Sequence, residues 1–264
     1  MEIGAGNILD WILYFLLIFV RILSTFALSP VFGRAMPNIA KIVFSLALSY
    51  IVLYTVPPSE PTAYNMAIEF VVAVMKEIIL GLIFGFIILM FMNVVYTSGR
   101  IIDLQMGFSF AQVYNPVTGA QSPVTGTIMN IFLVLMFFVT DSHLILFRVL
   151  YDTFTVLPPG KAVIDPNIAK VAAEAFIRLF EISFQIAMPV LIAEMIAEIL
   201  LGVIMKAIPN VNFFAIGFPV KVAMGLIIMM AVIPVFAAIS NKIFEEMYGV
   251  IQKIFDEMGR VTVG

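Results

Sequence analysis

Residues Ile78–Gly99 read IILGLIFGFIILMFMNVVYTSG and carry no charged side chain. A membrane-spanning helix needs about 20 predominantly apolar residues, and this stretch supplies them. The rest of the chain has the same character. Of its 264 residues, 62% are hydrophobic and 12% charged, and its mean hydropathy is +1.12. A soluble domain carries about 25% charged residues, so this chain has too few polar groups to cover a surface facing water. Its outside must meet lipid or other apolar protein. No polar stretch is long enough to form a separate globular domain. We therefore read residues 1–264 as a single membrane domain of the all-α class.

Working outward from Ile78, the chain divides into about six hydrophobic segments. The first runs from Ile8 to Ser29 and stops at Pro30, because the residue before a proline avoids helical geometry. The second, Ile39–Val56, is ended by Pro57-Pro58. The third begins near Met66 and reaches about Tyr96. The fourth runs from Ile128 through Asp141-Ser142-His143 to Leu157, ahead of Pro158-Pro159-Gly160. The fifth, Ile168–Lys206, is long for one span, and Pro189 is expected to kink or divide it. The sixth covers Phe218–Ile239. After it, Asn241–Met258 should form a short amphipathic helix with Ile243, Met247, Ile251, Ile254 and Met258 on one face. The start of the chain lacks a basic region before its first apolar segment and is read as retained sequence, not a cleaved signal. Basic residues fall near most connectors, so the positive-inside rule assigns no orientation.

Between the third and fourth segments lies the most unusual stretch, from about Thr97 to Thr127. Gly99, Gly107, Pro116, Gly119, Pro123 and Gly126 forbid a long helix there. Yet Met106, Phe108, Phe110 and Tyr114 make it too apolar for a solvent loop. Irregular backbone at membrane depth is tolerated where protein or a water-filled cavity surrounds it. We expect a buried irregular loop over residues 97–127.

Ionisable groups inside apolar helices are costly and face a partner or water. Glu69, Ala73, Lys76 and Glu77 share a face that continues to Gly81 and Gly85, and Gly81-Leu82-Ile83-Phe84-Gly85 is a GxxxG pattern permitting close helix approach. That approach would serve packing within the chain or a contact with another subunit. Glu174, Arg178, Glu181 and Gln185 suit a helix laced by i,i+3 and i,i+4 pairs. Glu194 and Glu198 lie one turn apart. They would relay protons in a transporter, or pair with Lys206, Arg21 or a neighbouring subunit.

Catalytic and cofactor chemistry finds little support. Asp141, Ser142 and His143 are consecutive, so on a helix they point about 100° apart per residue and cannot converge on one atom. No zinc, P-loop or dinucleotide pattern is present. The absence of cysteine excludes disulfides and thiolate chemistry. A net charge of −3 gives no electrostatic case for nucleic acid. We expect no enzyme activity, no cofactor and no metal.

Five stretches together resemble the FliR family of flagellar and type III secretion export-gate subunits. They are Arg21 with Ser29-Pro30-Val31-Phe32-Gly33, Pro37 and Lys41; Glu77 with Gly81 and Gly85; Gly99-Arg100-Ile101-Ile102-Asp103-Leu104-Gln105-Met106-Gly107-Phe108-Ser109 with Asn115-Pro116 and Pro123; Phe138 with Asp141-Ser142-His143; and Met188-Pro189-Val190, Gly202, Pro209 to Phe214, Gly217-Phe218-Pro219 and Lys221. Ser142 departs from the glycine that the family often carries there. The resemblance implies a single-copy subunit of an inner-membrane export gate in the flagellar basal body. It would assemble with P and Q subunits (FliP-like and FliQ-like) and meet an FlhB-like switch protein. The chain would combine a P-like and a Q-like part built from helical hairpins, and unfolded protein would pass through the centre of the assembly. It also implies a channel plug in the Met106–Pro123 region. Gln105, Met106, Gly107, Phe108, Phe110, Tyr114, Asn115 and Pro116 are the candidate gating residues. Arg21, Glu77, Gly81, Gly85, Glu194, Glu198 and Lys221 are the candidate subunit or interhelical contacts. The run from Leu104 to Thr140 carries no charge, which suits a seal against ions, since hydrophobic constrictions gate by dewetting. The competing reading is an ion-coupled transporter of a small solute using Glu194 and Glu198.

Overall fold

The computed structural model describes residues 5–30, 37–56, 67–108, 123–161, 167–207 and 213–263. Among them the chain is helical, with no strand. In chain order the helices are α1 (Ala5–Leu28), α2 (Asn38–Thr55), α3 (Ala67–Met92), α4 (Val94–Met106), α5 (Val124–Val139), α6 (Ser142–Val156), α7 (Asn167–Ala207) and α8 (Phe213–Val263). Five described stretches are long and apolar enough to cross a membrane, and α5 with α6 makes a sixth if the pair is counted as one span. The protein is an all-α integral membrane protein.

Several boundaries differ from those expected. The third hydrophobic segment does not end in an irregular stretch at Thr97. Helix resumes after Asn93 and runs through Gly99 to Met106, and α5 already begins at Val124. Of the expected irregular stretch, residues 109–122 lie outside the described residues. Gly99 and Gly126 are helical residues, not breakers. A Cβ on Gly99 would collide with the backbone of Gly126, so the missing side chains let α4 and α5 touch. The fourth segment is broken at Thr140–Asp141, where Asp141 takes a left-handed conformation (φ 55°) that aspartate tolerates better than most residues. Pro189 does not divide the fifth segment, and α7 continues through it. Nor is the C-terminal amphipathic stretch a separate helix. It is the end of α8, which carries Pro219 and Pro234 within it. Its expected face is correct: Ile243, Met247, Ile251, Ile254 and Met258 are all buried.

The chain forms two compact units, residues 1–91 with 141–176 and 245–264, and residues 92–140 with 177–244. In the first unit α1 and α2 pack as a hairpin, joined by Phe26 against Phe44, with Phe147 of α6 beside both rings. Gly81 and Gly85 bring α3 against α1. A Cβ at Gly81 would overlap Ser24 Oγ and the Arg21 carbonyl, and one at Gly85 would lie 2.6 Å from the Thr25 carbonyl oxygen. Phe84 meets Phe255 with ring centroids 4.9 Å apart. Tyr248 donates a hydrogen bond to the Ser142 carbonyl at 2.6 Å. Buried hydroxyls of Thr25, Ser45 and Ser49 turn back onto carbonyls of their own helices, which meets their polar demand where water is absent.

Close approach at Gly81 sets the helix spacing that an ion pair requires. Arg21 and Glu77 are 1% and 0% exposed. The guanidinium engages the carboxylate through two N–H groups, Nε to Oε2 and Nη2 to Oε1, the latter at 3.0 Å. Nη1 and Nη2 also donate to the Leu157 carbonyl, and Nη1 reaches Thr153. These carbonyls close the C-terminal end of α6, where orphan acceptors and the helix dipole favour a cation. Glu77 Oε1 accepts a further bond from the Gly160 N–H at 2.9 Å, and the Phe154 ring lies 4.5 Å from the guanidinium carbon. One pair therefore ties together α1, α3, α6 and the Pro158-Pro159-Gly160 turn.

Removing one partner of a buried pair strands the other charge and costs about 3–5 kcal/mol, whereas an apolar replacement of both is often neutral. Glu77→Ala should therefore deplete the folded protein from the membrane. The double substitution Arg21→Met with Glu77→Leu should recover much of it, as read by melting temperature in detergent. A double variant as unstable as the single one would show that the pair's geometry is required beyond charge neutralisation.

Candidate functional site

The second unit frames the segment proposed from the sequence as a plug. Its entry is α4. The last turn of α4 carries Asp103, a carboxylate at the helix end where the dipole disfavours it. The structure resolves that conflict by placing Asp103 at the opposite end of another helix. Its Oδ1 accepts the backbone N–H of Thr125 at 3.2 Å, an otherwise orphan donor in the first turn of α5. Asp103 is 2% exposed. Its contact and the Gly99–Gly126 approach clamp the two strands of chain that enter and leave residues 107–123. At the entry, Gly107 sits at φ 87° and caps α4, a left-handed position that suits glycine. At the exit, Pro123 is extended and precedes the first turn of α5.

The candidate residues fall into three sets. Met106 is buried against Gly225 of α8, where a Cβ would stand 2.7 Å from the thioether sulfur. Phe108 is half-buried. Gln105 donates a long hydrogen bond of 3.5 Å to Glu198 Oε2, while Glu198 Oε1 pairs with Lys221 at 3.0 Å. A polar chain thus links α4, α7 and α8 beside the end of α4. Glu194, one turn before Glu198, is 0% exposed, and neither of its oxygens has a hydrogen-bond partner among the described residues. The second set is Arg21, Glu77, Gly81 and Gly85, which the first unit brings together within the chain as described above. The third set, Phe110, Tyr114, Asn115 and Pro116, lies outside the described residues.

Of the other charged residues, Arg178 pairs with Glu181 at 2.7 Å on an exposed face of α7. Among the described residues no three His, Asp or Glu side chains converge as a metal ion would need. Asp141, Ser142 and His143 sit at the break between α5 and α6, with Asp141 as the left-handed residue preceding α6. Sequence reasoning had no role for Asp103 beyond its place in a motif. The available signal was a carboxylate in the final turn of a helix, four residues before a glycine.

The described residues hold the two helix ends around residues 107–123 together, and comparison with known proteins places the whole chain. Residues 12–247 match the model of the family described as bacterial export proteins, family 1. The flagellar biosynthetic protein FliR of Bacillus subtilis (strain 168) is 31% identical over 243 residues, covering 90% of this chain and 93% of that protein. The protein of that name from Escherichia coli (strain K12) is 25% identical over 259 residues, 98% of each chain. That of Aquifex aeolicus (strain VF5) is 27% identical over 248 residues, 92% of this chain and 94% of its own. With the match running through both compact units, the chain belongs to the bacterial export proteins of family 1, the family of the flagellar biosynthetic protein FliR.

Proposed function

We propose that the chain is the single-copy R-type subunit of the flagellar protein-export gate in the bacterial inner membrane. It would build, with FliP-like and FliQ-like subunits, the channel through which unfolded substrates cross, and meet an FlhB-like switch protein. The role is structural and gating, not enzymatic. The observation that carries the reading is the family match over residues 12–247, joined by near full-length alignment to flagellar relatives. The surface supports it. In the apolar windows of α2, α7 and α8 only 17%, 17% and 11% of residues are buried, against 61% for α3 with α4. Phe180, Phe184, Ile192 and Ile199 on α7 and Ile227 and Met230 on α8 stand exposed. Such faces need lipid or partner helices to cover them. Several copies of small helical subunits would supply that cover.

We assign the plug to residues 106–123. Its base is held by Asp103 on Thr125 and by the Gly99–Gly126 approach. Its interior, free of charge from Leu104 to Thr140, suits a dry constriction. Phe108, Phe110 and Tyr114 would supply the seal.

Two experiments test this reading. The chain is tagged at its C-terminus, extracted from its native membrane in mild detergent and weighed by native mass spectrometry. The expected result is a defined hetero-oligomer with one copy of this chain and several copies of small helical partners. A stable monomer or homodimer in more than one detergent would overturn it and favour the transporter reading, in which Glu194 and Glu198 carry the coupled ion. In the assembled complex, replacing Phe108, Phe110 and Tyr114 with glycine should raise ion leak across a planar bilayer. Conductance equal to that of the unsubstituted complex would remove these aromatics from the seal.

A further inference from the structure

The first unit contains a feature that neither the ion pair nor the export reading uses. A cavity of about 330 Å³ opens between α1, α2 and α6. Val52, Leu150 and Phe154 line it as buried apolar residues, while Ile51, Arg148 and Tyr151 stand nearer its mouth. An apolar cavity gives water no hydrogen-bond partners and stays dry. In a membrane the available filler is hydrocarbon. A flexible acyl chain can conform to an apolar slot lined by Ile22, Leu48, Val52, Leu150 and Phe154.

Two observations indicate what sits above that chain. Arg148 lines the cavity, is exposed, and makes no hydrogen bond or ion pair among the described residues. A charged guanidinium on an apolar helix needs an anion or water. The level of the cavity is also marked. Its α2 residues lie within two turns of the helix end at Thr55. Tyr50 and Tyr54 are exposed in the same turns, with ring centroids 5.1 Å apart. Tyrosines concentrate at the height of lipid headgroups. We propose that this slot binds one anionic phospholipid, an acyl chain lying between α1, α2 and α6 and its phosphate meeting Arg148.

The test uses the purified chain within whatever assembly it leaves the membrane. Phosphatidylglycerol or phosphatidylcholine with identical acyl chains is added, and retained lipid is read by native mass spectrometry at rising collision energy. One phosphatidylglycerol should survive energies that strip other lipid, and should be preferred over phosphatidylcholine by about fivefold, the scale of one basic residue near a membrane surface. Arg148→Gln should abolish the preference while leaving phosphatidylcholine binding unchanged. Ile51→Trp, at an exposed position that should tolerate bulk, should fill the mouth and lose both lipids. Equal retention by Ile51→Trp and the unsubstituted chain would overturn the slot. A headgroup preference that survives Arg148→Gln would overturn the assignment of the phosphate. A photo-reactive amino acid at position 51 that captures a protein segment in the native membrane, and not lipid, would overturn the occupant.

Discussion

A guanidinium and a carboxylate removed from water together each lose several kcal/mol of hydration, and their attraction repays this only when every donor and acceptor is met. Arg21 and Glu77 satisfy that condition by recruiting parts of the chain far apart in sequence. The carboxylate takes two donors from Arg21 and one from the Gly160 backbone. The remaining guanidinium hydrogens go to the last carbonyls of α6. The glycines at 81 and 85 are the steric counterpart of this pair, because only without side chains can α3 come close enough to α1 for Glu77 to reach. The hairpin of α1 and α2 and the turn after α6 are then oriented by one set of charge-assisted bonds. Apolar packing alone is non-directional and would not select that arrangement among others.

The second unit solves a related problem with a different device. The chain leaves α4 at Met106 and re-enters helix at Val124, and the backbone groups at these two ends must not be stranded in an apolar setting. Asp103 supplies a carboxylate to the start of α5, Gly107 turns the chain, and the Gly99–Gly126 contact removes the space in which the two helices would slide. The two helix ends on either side of residues 107–123 are thereby fixed to one another as a base. Met106 packed on Gly225 and the Gln105–Glu198–Lys221 chain anchor the same base to α7 and α8. A gate needs a rigid frame against which an element with two arrangements can switch, and these contacts supply such a frame.

Much of this was legible in the residues. Uncharged runs gave the helices, and prolines at 57–58 and 158–159 gave breaks between them. The cost of charge in apolar helices singled out Arg21, Glu77, Glu194 and Glu198. Their pairing was not legible, because Arg21 and Glu77 are 56 residues apart and nothing local distinguishes Glu77 from Glu194 or Glu198 as its partner. Glu198 instead meets Lys221. Glycines were ambiguous for a physical reason. The same missing Cβ serves as a breaker at Gly107 and as a packing surface at Gly99 and Gly126, and only the neighbouring helix decides which. Pro189, read as a kink or division of its segment, lies within a continuous α7. In a membrane helix the lost hydrogen bond is made up by neighbours and local adjustment, and the helix continues.

In the proposed gate, residues 106–123 close the channel. The chain has no cysteine, so Phe110→Cys or Tyr114→Cys introduces a single thiol. In membranes holding the assembled complex, a membrane-impermeant thiol reagent applied to either side should leave that cysteine unmodified at rest. It should modify the cysteine when a substrate is stalled in transit. Modification at rest to the same extent, from either side, would contradict the account.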